Sequence, residues 1–261
     1  MKLVRLIAIS GIALFFAACG SKKERFEIIN SKSFAEQQVT VNGYLGQRIR
    51  VDSVNYVQKS NTLNKQLEEL LSVAETYKET MSDSSWTKLL KSWDDFRINE
   101  SLLLADTSVN SLETLQEWAE LNSQLLKLTS EVRFGDALEK LNYESVVPVL
   151  SERSIKSIIY THIDDQIFIN LLGSSSLNHH HTTGGTIKLI QETDFPASSE
   201  ITLKCECSDV RYLDVFIRIP EWAVNPTVTH GNVKYVANPG EYCQIFRKWR
   251  NGDEFRIRLK N

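Results

Sequence analysis

The chain has 261 residues, 42% hydrophobic and 24% charged, with a formal charge of −3 at pH 7. That is enough ordinary globular composition for one large or two modest domains. No basic cluster runs longer than Lys22-Lys23, so there is no electrostatic footprint for nucleic acid.

Lys2 and Arg5 precede an apolar stretch from Leu6 to Phe16, closed by Phe16-Ala17-Ala18-Cys19. The stretch is too short for a permanent membrane span and has secretory-signal proportions. Its Ala-Ala-Cys ending resembles the lipobox of bacterial lipoproteins, with Phe16 where Leu is more usual. That resemblance implies a signal peptide over residues 1–18 and lipidation of Cys19. Acyl chains would then hold the chain at a membrane surface of the bacterial envelope, on the outer membrane or its periplasmic face. Residues 19–39 read as a tether, and removal of the signal leaves a formal charge of −5.

Residues 40–150 read as a helical domain. Leu63, Leu67, Leu70, Leu71, Ala74 and Tyr77 form one stripe at helical spacing. Trp86, Leu89, Leu90, Trp93 and Phe96 mark a second helix, after a Ser/Asp cluster that can cap it. Leu115, Trp118, Leu121, Leu125 and Leu128 mark a third; Phe134, Ala137, Leu138 and Leu141 mark a shorter fourth. These broad faces read as core.

After Pro148 the period becomes two. Apolar alternation runs through 167–171, 187–189, 201–205, 215–219 and 255–259, with turn signals at Gly184-Gly185, Asp194-Phe195-Pro196, Asn225-Pro226, Asn238-Pro239-Gly240 and Asn251-Gly252-Asp253. Residues 151–261 are therefore expected to form an antiparallel β-sandwich, and the fold class is α+β. Three cysteines remain after Cys19. Cys205 and Cys207 share a strand face, and either could pair with Cys243 on a neighbouring strand; three buried small residues is the alternative.

The β half carries a resemblance. Ile217-Arg218-Ile219-Pro220-Glu221-Trp222-Ala223 resembles the "RIPxWA" segment of glycoside hydrolase family 127, the β-L-arabinofuranosidases. Pro239-Gly240-Glu241-Tyr242 and Arg247-Lys248-Trp249-Arg250-Asn251-Gly252-Asp253 resemble that family's "pGxY" and "RxWxxGD". Upstream, Gln191 to Pro196 is similar to "QETxYP" and Asp165 to Leu171 to "DGLYVNLF". The helical half resembles it more faintly, through Trp93-Asp94-Asp95, Leu121 to Thr129, Phe134 to Glu139 and Val41 to Ile49.

The resemblance implies an (α/α)6 barrel of twelve helices, which needs on the order of 200 residues. Residues 40–160 offer 121 positions, so the helical part reads as a partial barrel-like layer whose helices must repack or be covered by another subunit. The family's nucleophile is a cysteine thiolate held by zinc with further Cys ligands and a Glu, because zinc keeps the thiol deprotonated and oriented. Its Glu-x-Cys pair corresponds here to Glu113, Thr114 and Leu115, and its Cys-Cys pair to the cysteine-free stretch Ser151 to Ser157. Catalytic residues and zinc are accordingly expected to be absent. Glu113 reads as a capping-box residue in Asn110-Ser111-Leu112-Glu113, or as a remnant of the metal site. Trp222 reads as a buried edge residue or as a sugar-stacking contact. His179-His180-His181 reads as a solvated loop, with His162 and His230 isolated.

The expected function is thus a non-hydrolysing envelope lipoprotein with a carbohydrate-binding or structural role, and a membrane, glycans or another envelope protein as partners. The alternative is an active arabinofuranoside hydrolase with a relocated or partner-completed site.

Overall fold

The computed structural model describes residues 28–49, 62–104, 109–145 and 148–260. The signal, Cys19 and most of the tether lie outside these residues. Among the described residues, no helix is long and apolar enough to cross a membrane.

The elements run β1 (Lys32–Ser33), a 3-10 turn (Glu36–Gln38), β2 (Val39–Val41), α1 (Gly43–Ile49), α2 (Thr62–Thr80), α3 (Asp83–Arg97), α4 (Glu100–Leu104), α5 (Val109–Thr129), α6 (Val132–Glu144) and α7 (Glu152–Ile158). Strands follow: β3 (Tyr160–Ile163), β4 (Gln166–Ile169), β5 (Ser175–His180), β6 (Thr186–Glu192), β7 (Glu200–Cys207), β8 (Arg211–Arg218), β9 (Val224–His230), β10 (Val233–Tyr235), β11 (Tyr242–Trp249) and β12 (Glu254–Lys260). The fold is α+β.

Helix formation follows the apolar spacing. The Ser82 side chain caps α3 by accepting from the Ser85 N–H at 3.2 Å, and α3 buries Trp86, Leu89, Leu90, Trp93 and Phe96 on one stripe. Trp93 meets Phe134 edge-on at 5.4 Å, and Phe96 meets Trp118 at 4.7 Å, so α3, α5 and α6 pack together within a core that continues into the strands. The buried indole N–H groups find acceptors: Trp93 donates to Asn122 and Trp118 to Glu100, each at 2.9 Å. Such satisfaction is what makes a buried indole affordable.

The β half is two sheets, β1-β3-β4-β8-β11 and β10-β9-β12-β7-β6-β5-β2. All pairings are antiparallel except β4 with β8. Burial alternates along β6, β7 and β8, as expected of sheets with one face on a shared core.

Four expectations need correction. The tether does not extend to residue 39: β1 pairs with β3, β2 pairs with β5, and the N–H groups of Ile29 and Asn30 bond the last-turn carbonyl of Leu128. These bonds complete a sheet edge and satisfy a helix end, a tertiary gain with no local periodicity. Asn225-Pro226 is not a turn but the start of β9, beside a bulge opposite Arg258 and Lys260, where Pro is tolerated because the ladder is already interrupted. The His triplet is not a loop; His179 and His180 end β5. The three remaining cysteines are free, Cys205 and Cys243 buried and Cys207 partly so, which matches the unpaired reading rather than the disulfide. Cys205 and Cys243 lie on different sheets, on β7 and β11, so the proposed pairing between neighbouring strands does not arise. Burial pushes the Cys243 thiol up to about 12, and the Cys205 thiol also upward, with the neighbouring Cys207 adding to it.

Candidate functional site

The two halves are joined through Arg218. Its side chain lies on the outer face of β8, where alternation predicts a polar residue, yet it is fully buried. The guanidinium donates to Asp136 and to Glu139, and its Nε donates to the Asn170 carbonyl. Asp136 and Glu139 are three apart on α6, so both carboxylates project from one helix face. Gly135 permits the approach, since a Cβ there would stand 2.6 Å from Arg218 Cδ. Burial pushes the carboxyls of Asp136 and Glu139 up, with Arg218 pulling back. The upward direction follows from burial, which penalises the charged form more than the single Arg218 cation restores it.

Asn170 is the second node. Its amide donates to the Ile158 carbonyl at 2.8 Å and to Thr161 at 3.0 Å, and it accepts from the Tyr242 hydroxyl at 2.6 Å. Gln191 similarly donates to Tyr160, Leu171 and Ser175, and the Trp249 indole donates to the Leu213 carbonyl at 3.0 Å. The segments that carry the family resemblance are therefore joints of the architecture.

Beside the Arg218 node, α6 and the turns at Phe195-Pro196 and Glu221-Trp222 enclose a cleft of about 840 Å³. Trp222 forms one wall. It is 38% exposed, while Trp86, Trp93, Trp118 and Trp249 are all buried. Its Nε1 donates to Glu139 at 2.9 Å, and its ring lies near-parallel to Phe195, centroids 6.1 Å apart. Tyr143 packs edge-on against Phe195 at 4.9 Å. Glu100 and Lys140 line the opposite side, 3.2 Å apart, and burial pushes the Glu100 carboxyl up, with Trp118 and Lys140 opposing. The three enclosed carboxylates have every oxygen engaged. Glu100 accepts from Trp118 and Lys140, Asp136 from Arg218 and the Glu221 N–H, and Glu139 from Arg218 and Trp222.

The zinc positions of the family are elsewhere and do not offer the donors. Leu115 is fully buried among apolar residues, whereas Glu113 is exposed on α5. Because α5 begins at Val109, Asn110 is already inside the helix, so Glu113 is not the partner of an Asn110 cap as its spacing suggested. Ser151 caps α7, accepting from the Ser154 N–H at 3.1 Å. An exposed Glu113, a buried apolar Leu115 and a hydroxyl-lined helix start do not fit a thiolate-rich zinc site.

The histidines are less isolated than they read. His179 is buried and its Nε2 lies 2.7 Å from Asp165, whose second oxygen is 3.3 Å from His181 Nε2. His162 stacks on Phe34 at 4.4 Å, and His230 stacks on Phe255 at 4.7 Å. Among the described residues, no group of three or more His, Cys, Asp or Glu side chains is arranged to hold a metal ion. The cluster instead ties the β3–β4 turn to the β5–β6 hairpin.

Residues 166–261 match the family model for the middle domain of the GH127 β-L-arabinofuranosidases. Over that segment the chain is similar to the GH127 middle domain. A solved glycoside hydrolase shares its fold with a TM-score of 0.52 at 18% identity, over 59% of this chain and 33% of that one. A GH127 β-arabinofuranosidase aligns at 20% identity and a TM-score of 0.49, over 57% and 32%. A GH127 β-L-arabinofuranosidase from Geobacillus stearothermophilus T6 gives 18% and 0.46, over 57% and 31%. The GH127-like chain thus spans about a third of the length of these solved structures. No curated protein sequence matches it.

Of the candidate site residues named from sequence, Cys19, Glu113 and Trp222, only Trp222 lines the cleft, beside Phe195, Pro196 and Glu221 of the motif segments. Sequence reading missed Asp136, Glu139 and Glu100. The first two had a usable signal, paired acids at i, i+3 on a helix with Arg218 set between Ile217 and Ile219 in an apolar stretch. Glu100 had none, since α4 is too short to show a period.

Proposed function

We propose that this GH127-like chain is a non-hydrolysing sugar-binding protein of the bacterial cell envelope, anchored by lipid at Cys19. Trp222 carries the reading: a half-exposed indole, pinned at Nε1 by Glu139 and backed by Phe195, on the wall of an open cleft. A fixed aromatic face beside carboxylates and an ammonium is the chemistry that sugars use, stacking through C–H groups and bonding through hydroxyls. The non-hydrolysing half of the reading rests on the chemistry the resemblance implies, a thiolate held by zinc. The zinc-thiolate route lacks its ligands at Leu115 and at residues 151–157, so no zinc cofactor enters the reading.

The test uses the mature chain with β-L-arabinofuranosyl oligosaccharides. Tryptophan fluorescence should respond to a bound sugar, because Trp222 is the exposed indole, and Trp222→Ala should abolish binding while the far-UV spectrum is kept. Release of free arabinose would overturn the non-hydrolysing reading. Absence of binding across a glycan panel would overturn the sugar-binding one. Metabolic labelling with a fatty acid, lost in Cys19→Ala, tests the anchor; labelling unchanged by that substitution would refute it.

A further inference from the structure

We infer that the cleft is selective by charge, accepting neutral or amine-bearing sugars and rejecting anionic ones; this rests on the reading of the cleft as a sugar site. The carboxylates of Glu100, Asp136, Glu139, Glu144 and Glu221 surround it, against Arg97 and Lys140. Neither of these cations is uncommitted. Lys140 Nζ is held at 3.2 Å by Glu100, while Arg97 lies 3.7 Å from Glu221 with its guanidinium 5.5 Å from the Trp93 ring centre. Arg218 is buried behind the wall and already divided between Asp136 and Glu139. A carboxylate on an incoming sugar would lose water to face like charges without gaining a donor cation. An ammonium would meet Glu144, exposed at the rim, and the oxygen of the exposed Glu221 that does not face Arg97.

The experiment compares three ligands of one shape: methyl β-L-arabinofuranoside, its 5-amino-5-deoxy derivative and its 5-carboxylate derivative. Affinities are read by tryptophan fluorescence at low and high salt. The amine should bind roughly fivefold more tightly than the neutral sugar, as expected of one exposed ion pair, and the carboxylate at least about tenfold more weakly. Salt should compress both ratios. In Glu144→Gln/Glu221→Gln the amine-to-neutral ratio should fall toward one. Equal binding of the three sugars, or ratios indifferent to salt and to the double variant, overturns charge selection and leaves the sugar site standing. If none of the three binds and the glycan panel is also silent, the sugar site itself falls.

Discussion

Replacing Arg218 by Met is the most direct probe of how the two halves are held. The side chain is fully buried, and its loss strands the carboxylates of Asp136 and Glu139 in a low-dielectric joint. Breaking a buried ion pair from one side costs about 3–5 kcal/mol. Each carboxylate keeps one donor, the Glu221 N–H at 3.0 Å for Asp136 and the Trp222 indole at 2.9 Å for Glu139, which argues for the lower part of that range. For a fold of this size each kcal/mol moves Tm by about 2–4 °C, so a fall of about 6–16 °C is expected. The deficit should shrink on acidification. Burial already holds both carboxyls above their ordinary values; a raised folded pKa means stability present at low pH and lost as pH rises through it. Neutralising the partners as well, in Arg218→Met/Asp136→Asn/Glu139→Gln, should recover most of the loss. Urea unfolding followed by fluorescence measures all three. A single variant within about 1 kcal/mol of the parent, or a triple variant as unstable as the single, refutes the buried-charge account.

Three further expectations follow from other contacts. Gly135→Ala would normally favour a helix, but the added Cβ would lie 2.6 Å from Arg218 Cδ, so the chain should lose about 1–3 kcal/mol in the same unfolding assay. His179→Gln should flatten the acid limb of stability. Burial lowers the His179 pKa from 6.5, with Asp165 opposing, so the neutral form belongs to the fold and stability drains as pH falls below that value. Asp165 is also lowered: hydrogen bonds from Thr182 and His179 outweigh its burial, and its share is lost only under more acidic conditions, below 3.8. Thermal melts of parent and variant between pH 7 and 5 check this, and an unchanged acid limb would remove the Asp165–His179 latch from the account. Leu115→Cys should restore no zinc, because the partner ligands are missing, and should cost about 1–3 kcal/mol for the vacated core volume; metal analysis showing one zinc per chain would contradict it.

How much of this was readable depends on the range of the forces involved. The amphipathic stripes of α2, α3, α5 and α6 are periodic within a few turns, so the helices were legible, as were the runs that became β4, β6, β7, β8 and β12. Strands β1, β2 and β5 were not: two are three residues or fewer, and β5 is written Ser-Ser-Leu-Asn-His-His, which looks like a loop until Asp165 and the neighbouring strand claim it. The same limit applied to the cleft. Trp222 was visible as a motif residue, but its exposure depends on where Phe195 and α6 stop.

The sequence by itself determined the helical and β halves, the family resemblance of the β half and the missing cysteine at Leu115, because each is written in local pattern or residue identity. Tertiary structure alone decided that Arg218 is a buried joint, that Glu100, Asp136 and Glu139 each have both oxygens engaged, and that Trp222 faces solvent. Those facts turn on groups about 80 residues apart in the chain meeting across an interface, and no local pattern encodes which buried charge finds which partner.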